Sequence, residues 1–221
     1  MNMHRSTVST AEAAFLAGLS ERKINQAVDD RILPGNLYEK HARNRRFTPM
    51  AAAFAKFYFD TEDIMVANTR KTILNTLLDR IQKLHEEDRN GILMLRATGR
   101  KKTWQIHPNE FIEIDFNSFI TDTKSRFKQL EEMDKVIERN PSIMQGEAVF
   151  KGTRVPVHLV LEYLKAGESL KALQEDYPFL TENKIELAKL YNALHPKRGR
   201  PKSVKLAHPE WRIQEKTIIQ K

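Results

Sequence analysis

Ile73, Leu74, Leu77, Leu78, Ile81 and Leu84 recur three and four residues apart, the repeat that gathers apolar side chains on one face of a helix. The pattern predicts one long amphipathic helix over 65–89, stopped at Asn90-Gly91. The period then shortens. Three short strands are expected at 92–97, 103–107 and 111–116, the first two separated by the turn Thr98-Gly99-Arg100-Lys101-Lys102. In the third, Ile112, Ile114 and Phe116 alternate with Glu113 and Asp115, so one face is apolar and the other charged. Helical spacing resumes over 118–139.

Upstream, Ser9 and Glu12 have the spacing of a capping box, which starts a helix running to Ala17. Gly18 breaks it, and Ser20 caps a second helix ending at Asp30. Ala14, Gly18 and Ile24 then meet the needs of a helix-turn-helix: a small residue at the crossing, a glycine in the turn, and an apolar residue facing back. The second helix presents Arg22, Asn25 and Gln26 outward. Asn and Gln can pair with adenine edges and Arg with guanine. A plain helical hairpin with a solvated face fits the same residues. Pro34-Gly35 marks a turn, and 36–47 reads as a hairpin tipped by Arg43, Arg45 and Arg46. Thr48-Pro49 opens a helix rich in Ala and Phe, which must be largely buried.

Downstream, Asn140-Pro141 ends the helix, and 142–157 alternates short apolar pairs with glycine, as in a hairpin or tight loop. Pro156, Ser169 and Thr181 each open a further helix, and Gly167 and Pro178 end the first two. The last pair reads as a second helix-turn-helix. Thr181, Asn183 and Lys184 stand at the start of its final helix, and Lys151, Thr153 and Arg154 are placed for adjacent phosphates. The competing reading is structural: glycine for a turn, threonine as a cap, arginine for a carboxylate.

Composition narrows the choice. The 221 residues carry a net charge of +8, and eight Lys and Arg against two Glu fall in the last 27 residues, so +6 of it is a C-terminal tail. Such a tail points to nucleic acid or an acidic partner. No apolar run approaches a membrane span, Met1–Ser9 has no signal core, and cysteine is absent, so a cytoplasmic protein without disulfides or thiolate metal sites is expected. Glu113 and Asp115 share a strand face, and His85-Glu86-Glu87 lacks the second histidine of a zinc helix, so neither metal nor cofactor is expected. No nucleophile or phosphate loop is assembled, which argues against an enzyme.

Within the tail, Lys197-Arg198-Gly199-Arg200-Pro201-Lys202 resembles an AT-hook, in which glycine lets the backbone sink into the minor groove between flanking arginines. A basic linker is the alternative. Beyond it, Trp211, Ile213, Ile218 and Ile219 are apolar anchors with no place in a purely electrostatic tail.

Two larger resemblances organise these observations. The order helix-turn-helix, Ile32-Leu33-Pro34, basic hairpin, Arg45-Arg46-Phe47-Thr48 resembles the winged-helix domain of the MerR family, without its usual long coiled coil and effector domain. In that resemblance the wing arginines grip phosphate. The run Lys151-Gly152-Thr153-Arg154-Val155-Pro156-Val157, with Asn140-Pro141 before it and Tyr177-Pro178 after it, resembles domain of unknown function 433, found in VapB-like antitoxins encoded beside PIN-like ribonucleases. The resemblance implies a non-catalytic antitoxin of a type II toxin–antitoxin operon. It would bind a PIN-like ribonuclease toxin through the apolar tail and bind operator DNA as a homodimer. A stand-alone regulator sensing a small ligand through the middle unit is the alternative. The expected fold is mainly α with a small antiparallel β element: helix-turn-helix units at 1–60 and 140–195 flanking an α/β unit at 61–139, with the basic tail at 196–221.

Overall fold

The computed structural model describes residues 6–41, 44–96 and 104–196. Helix α1 (Thr10–Ala17) begins at the expected capping box: Glu12 N donates to Ser9 Oγ at 3.3 Å and Ser9 N donates to Glu12 Oε2 at 2.7 Å. Gly18 follows with φ +68°, a left-handed turn that glycine adopts without strain. Helix α2 (Glu21–Asp29) is capped by Ser20 and buries Ile24, Ala27 and Val28. Strands β1 (Tyr38–His41) and β2 (Asn44–Phe47) form the antiparallel hairpin, with Tyr38 opposite Phe47 and Lys40 opposite Arg45. Val8 adds a bridge to Phe47, which ties the entry to α1 against the hairpin. Thr48 caps α3 (Pro49–Asp60), whose alanine and phenylalanine side chains are buried as expected.

Past α3 the expectations and the structure diverge. The long helix is two: α4 (Ala67–Gln82) and α5 (Glu86–Leu93). Glu86, Glu87 and Asp88 fill the first turn of α5, where carboxylates meet the positive end of the helix dipole. Helix α5 runs through Gly91, so 92–96, the described part of the expected strand 92–97, supplies helix and turn in place of it. Burial of Ile92 and Leu95 outweighs the glycine's weak helix propensity. Arg70 anchors α4 on the end of α3; its guanidinium lies 4.1 Å from the Tyr58 ring centre and donates to Tyr58 O.

Strands β3 (Gln105–Asn109) and β4 (Ile112–Asp115) pair antiparallel. Helix α6 (Asn117–Val136) follows, and β5 (Ile137–Arg139) takes the residues expected to end that helix, pairing with β6 (Ala148–Phe150). Helices α7 (Val157–Lys165), α8 (Leu170–Asp176) and α9 (Glu182–Leu194) complete the described chain. The fold is mainly α with small antiparallel two-stranded sheets.

Among the described residues one apolar core runs from Val8 to Ala188, across the expected boundaries at 60/61 and 139/140. Helix α6 is its spine, packing against α1, α3 and α9. Lys56 of α3 reinforces this with Asp122 of α6 at 3.9 Å. Arg126 of α6 reaches the turn between α1 and α2: its Nη1 donates to Phe15 O at 3.0 Å, and a Cβ on Gly18 would collide with that guanidinium. Gly18→Ala should therefore lose roughly 1–2 kcal/mol to left-handed strain and about 1 kcal/mol to the displaced hydrogen bond. A thermal melt measures it; an unchanged midpoint would remove the clamp from the account.

Candidate nucleic-acid interface

The expected reading face of α2 is outward. Arg22 and Gln26 are exposed and Asn25 is half-buried. Gln26 Nε2 donates to Asp30 Oδ2 at 3.1 Å along the same helix. The hairpin supports this helix from the side. Arg45 Nη1 donates to Asn25 Oδ1 at 2.9 Å and to Asn25 O at 3.2 Å, and Nη2 donates to Asp29 Oδ1 at 2.6 Å. Arg45 thus fixes the Asn25 amide, and Asp29 offsets its charge. Arg46 bonds a different segment, donating from Nε to Thr7 Oγ1 at 3.0 Å and from Nη2 to Thr7 O at 3.1 Å. Both arginines expected at phosphate also hold the fold together. Arg43 lies outside the described residues, as do Lys197, Arg198, Gly199, Arg200, Pro201, Lys202 and the anchors Trp211, Ile213, Ile218 and Ile219.

The downstream residues divide the same way. Thr153 Oγ1 donates to Phe150 O at 2.7 Å and accepts from Val155 N at 3.1 Å, closing the turn after β6. Gly152, at φ +77°, donates its N–H to Glu138 Oε1 at 2.9 Å. Thr181 caps α9, accepting from Lys184 N at 3.3 Å, and Lys184 Nζ donates to Phe179 O at 3.0 Å beside that ring. Lys151, Arg154 and Asn183 are exposed. Thr153→Val keeps the shape and removes both hydroxyl bonds, so about 1–2 kcal/mol of stability should go, read as a lower melting midpoint. A midpoint equal to wild type would return Thr153 to a purely external role.

The two expected reading surfaces do not meet. Helix α9 is 13 residues long, so its start at Thr181 lies about 20 Å from its other end. That other end, at Tyr191 and His195, borders a cleft of about 1460 Å³. One wall is Glu21 and Asn25 of α2 with Lys40, Arg45 and Arg46 of the hairpin. The lining also takes in Arg139, the loop Met144–Glu147 and His158. Arg139 Nε donates to Gly146 O at 3.0 Å, and His158 Nδ1 lies 3.1 Å from Glu147 Oε1. His195 Nε2 lies 3.6 Å from Oε1 of the buried Glu12, joining the end of α9 to the start of α1. Sequence reasoning missed Lys40, Arg139, Met144 and both histidines. Only Gly146 signalled a turn there, and nothing marked Arg139 as facing α2.

The charged face of β4 takes a structural role at Asp115, whose Oδ1 accepts from Asn117 N at 2.9 Å and Asn117 Nδ2 at 2.7 Å at the start of α6. Among the described residues no helix is long and apolar enough to cross a membrane.

A mainly helical chain with small antiparallel two-stranded sheets, the last of them followed by three helices, is the class these elements define. Residues 137–191, from β5 into α9, match the family described as "Protein of unknown function (DUF433)". Over 193 residues the chain is 28% identical to the uncharacterized protein y4eO of Sinorhizobium fredii (strain NBRC 101917 / NGR234), covering 87% of this chain and 83% of that one. No solved structure matches.

Proposed function

We propose that this protein is a DNA-binding antitoxin that represses its own type II toxin–antitoxin operon and neutralises a PIN-like ribonuclease. The observation that carries the proposal is α2: capped by Ser20, turned off α1 by a left-handed Gly18, buried on Ile24, Ala27 and Val28, and polar on its outer face. The antiparallel hairpin that follows α2 supports the reading of a MerR-like wing. The DUF433 domain downstream supports the antitoxin side, through the resemblance of its Lys151–Val157 run to VapB-like proteins. Action is stoichiometric: the AT-hook-like Lys197–Lys202 run adds minor-groove grip, and Trp211, Ile213, Ile218 and Ile219 engage the ribonuclease. A homodimer would present two copies of α2 to a palindromic operator in the cytoplasm.

Co-expression with the product of the adjacent gene tests this directly. A stable stoichiometric complex that silences ribonuclease activity is expected. No complex, with intact binding to the DNA upstream of the gene, would leave a stand-alone regulator.

A further inference from the structure

The cleft between α2 and the DUF433 domain is larger than the roughly 300–1,000 Å³ of ordinary small-molecule sites, at about 1460 Å³. Its lining carries Lys40, Arg45, Arg46 and Arg139 against Glu21 and Glu147. Arg45 is offset by Asp29. Arg46 and Arg139 are different: their hydrogen bonds go to neutral oxygens, a hydroxyl and carbonyl of Thr7 and the carbonyl of Gly146. Their positive charge is held in place by these bonds without being cancelled by them. One guanidinium comes from the hairpin and one from the end of β5.

The DUF433 wall is also strained. Met144 and Gln145 take φ +45° and +56°, followed by Gly146 at +80°, so two non-glycine residues in succession are left-handed. Residues held in such conformations cluster where the chain meets a ligand. The Arg139 bond to Gly146 O locks this loop to the end of β5. Gln145 is exposed at its tip.

We infer that the DUF433 wall is a second DNA contact, in which Arg139 and the 144–146 loop follow the phosphate backbone of the same duplex that α2 and the hairpin engage. The inference rests on the DNA-binding reading of α2. Phosphate contacts carry position and affinity, not sequence, so this wall sets grip and register while α2 reads bases. It also places the downstream contact at Arg139, away from Thr181–Lys184 at the far end of α9.

The test is a fluorescence-anisotropy titration of the full chain on the duplex upstream of its own gene, at several salt concentrations. Arg139→Ala should weaken binding about five-fold at 0.15 M salt and lower the log–log salt slope by about one, the signature of one fewer counterion released. Gln145→Glu adds a repelling charge without removing the Arg139–Gly146 bond, and should weaken binding at least as much. Arg139→Lys should recover most of the loss. Lys171→Ala, which removes one positive charge from exposed α8 outside the cleft, should bind as wild type. Thermal melts confirm that each variant is folded. If Arg139→Ala and Gln145→Glu match wild type while Arg22→Ala is impaired, the second contact is overturned and the α2 reading stands. If the wild-type chain binds no duplex, both fail. Tighter, Gln145→Glu-sensitive binding of single-stranded RNA would overturn the inference in favour of an RNA cleft.

Discussion

Replacing Phe116 with alanine should remove about 3–5 kcal/mol of stability, the largest loss expected from any single substitution here. The ring is fully buried at the joint between β4 and α6. It packs on three other rings: Phe54 at 5.6 Å and Phe57 at 5.1 Å from α3, and Phe119 at 5.3 Å from α6. Its backbone N–H donates to Trp104 O at 3.0 Å, so the position cannot shift to fill the void. The loss adds the apolar transfer free energy to a cavity that surrounding helices cannot close. Against a typical total of roughly 5–15 kcal/mol, that is a large share. A urea titration reads it as a lower midpoint at constant slope. Ile64→Ala is the matched control, because that side chain is 77% exposed, and its change should stay within about 0.5 kcal/mol. Equal midpoints for the two variants would remove the phenylalanine cluster from the centre of the core.

The second large effect belongs to Arg22. It is exposed near the start of α2, on the face turned from Ile24 and Ala27. If α2 reads bases, Arg22→Ala should cost about 1–3 kcal/mol in operator affinity, or roughly 5- to 150-fold, with discrimination lost at one base pair. Stability should stay within about 0.5 kcal/mol, as for any exposed position without a structural bond. Competition titrations against single-site operator variants measure both affinity and preference. A uniform loss over all sequences would make Arg22 a phosphate contact. No loss would take the helix-turn-helix out of DNA recognition. Asn25→Ala is a less clean probe, because Arg45 grips that amide and would lose its own partner too.

The ends of elements were legible because their chemistry is local. Ser9 with Glu12, Gly18, Ser20, Thr48 with Pro49, Ser169 and Thr181 each satisfy or release backbone groups within a few residues, and each stands where its type predicts. The break between α4 and α5 was written in the same local terms, as three consecutive carboxylates opening α5. The continuous leucine spacing masked it. Asn90-Gly91 misled because burial of Ile92 and Leu95 overrides a propensity of about 1 kcal/mol. Strand β5 was hidden because its partner lies beyond a loop, and three residues carry no period of their own.

The candidate site was half legible for the same reason. The outer face of α2 follows from helical geometry alone. What Arg45 and Arg46 touch does not, since Asn25 and Thr7 are 20 and 39 residues away. The same holds for Arg139, which enters the cleft only because α6 brings the DUF433 domain up against α1.

That packing bears on how much of this chain residues 137–191 need in order to stay closed. Its last helix, α9, rests on α6 and α1 as well as on its own neighbour α7. Cut free at Ile137, the domain would bare the side of α9 that these two helices now close. A stretch so short buries too little apolar surface to spare any of it. In this chain α6 is the lid that closes that side of α9. A graft of this domain into a new host should begin at Asn117, where α6 starts.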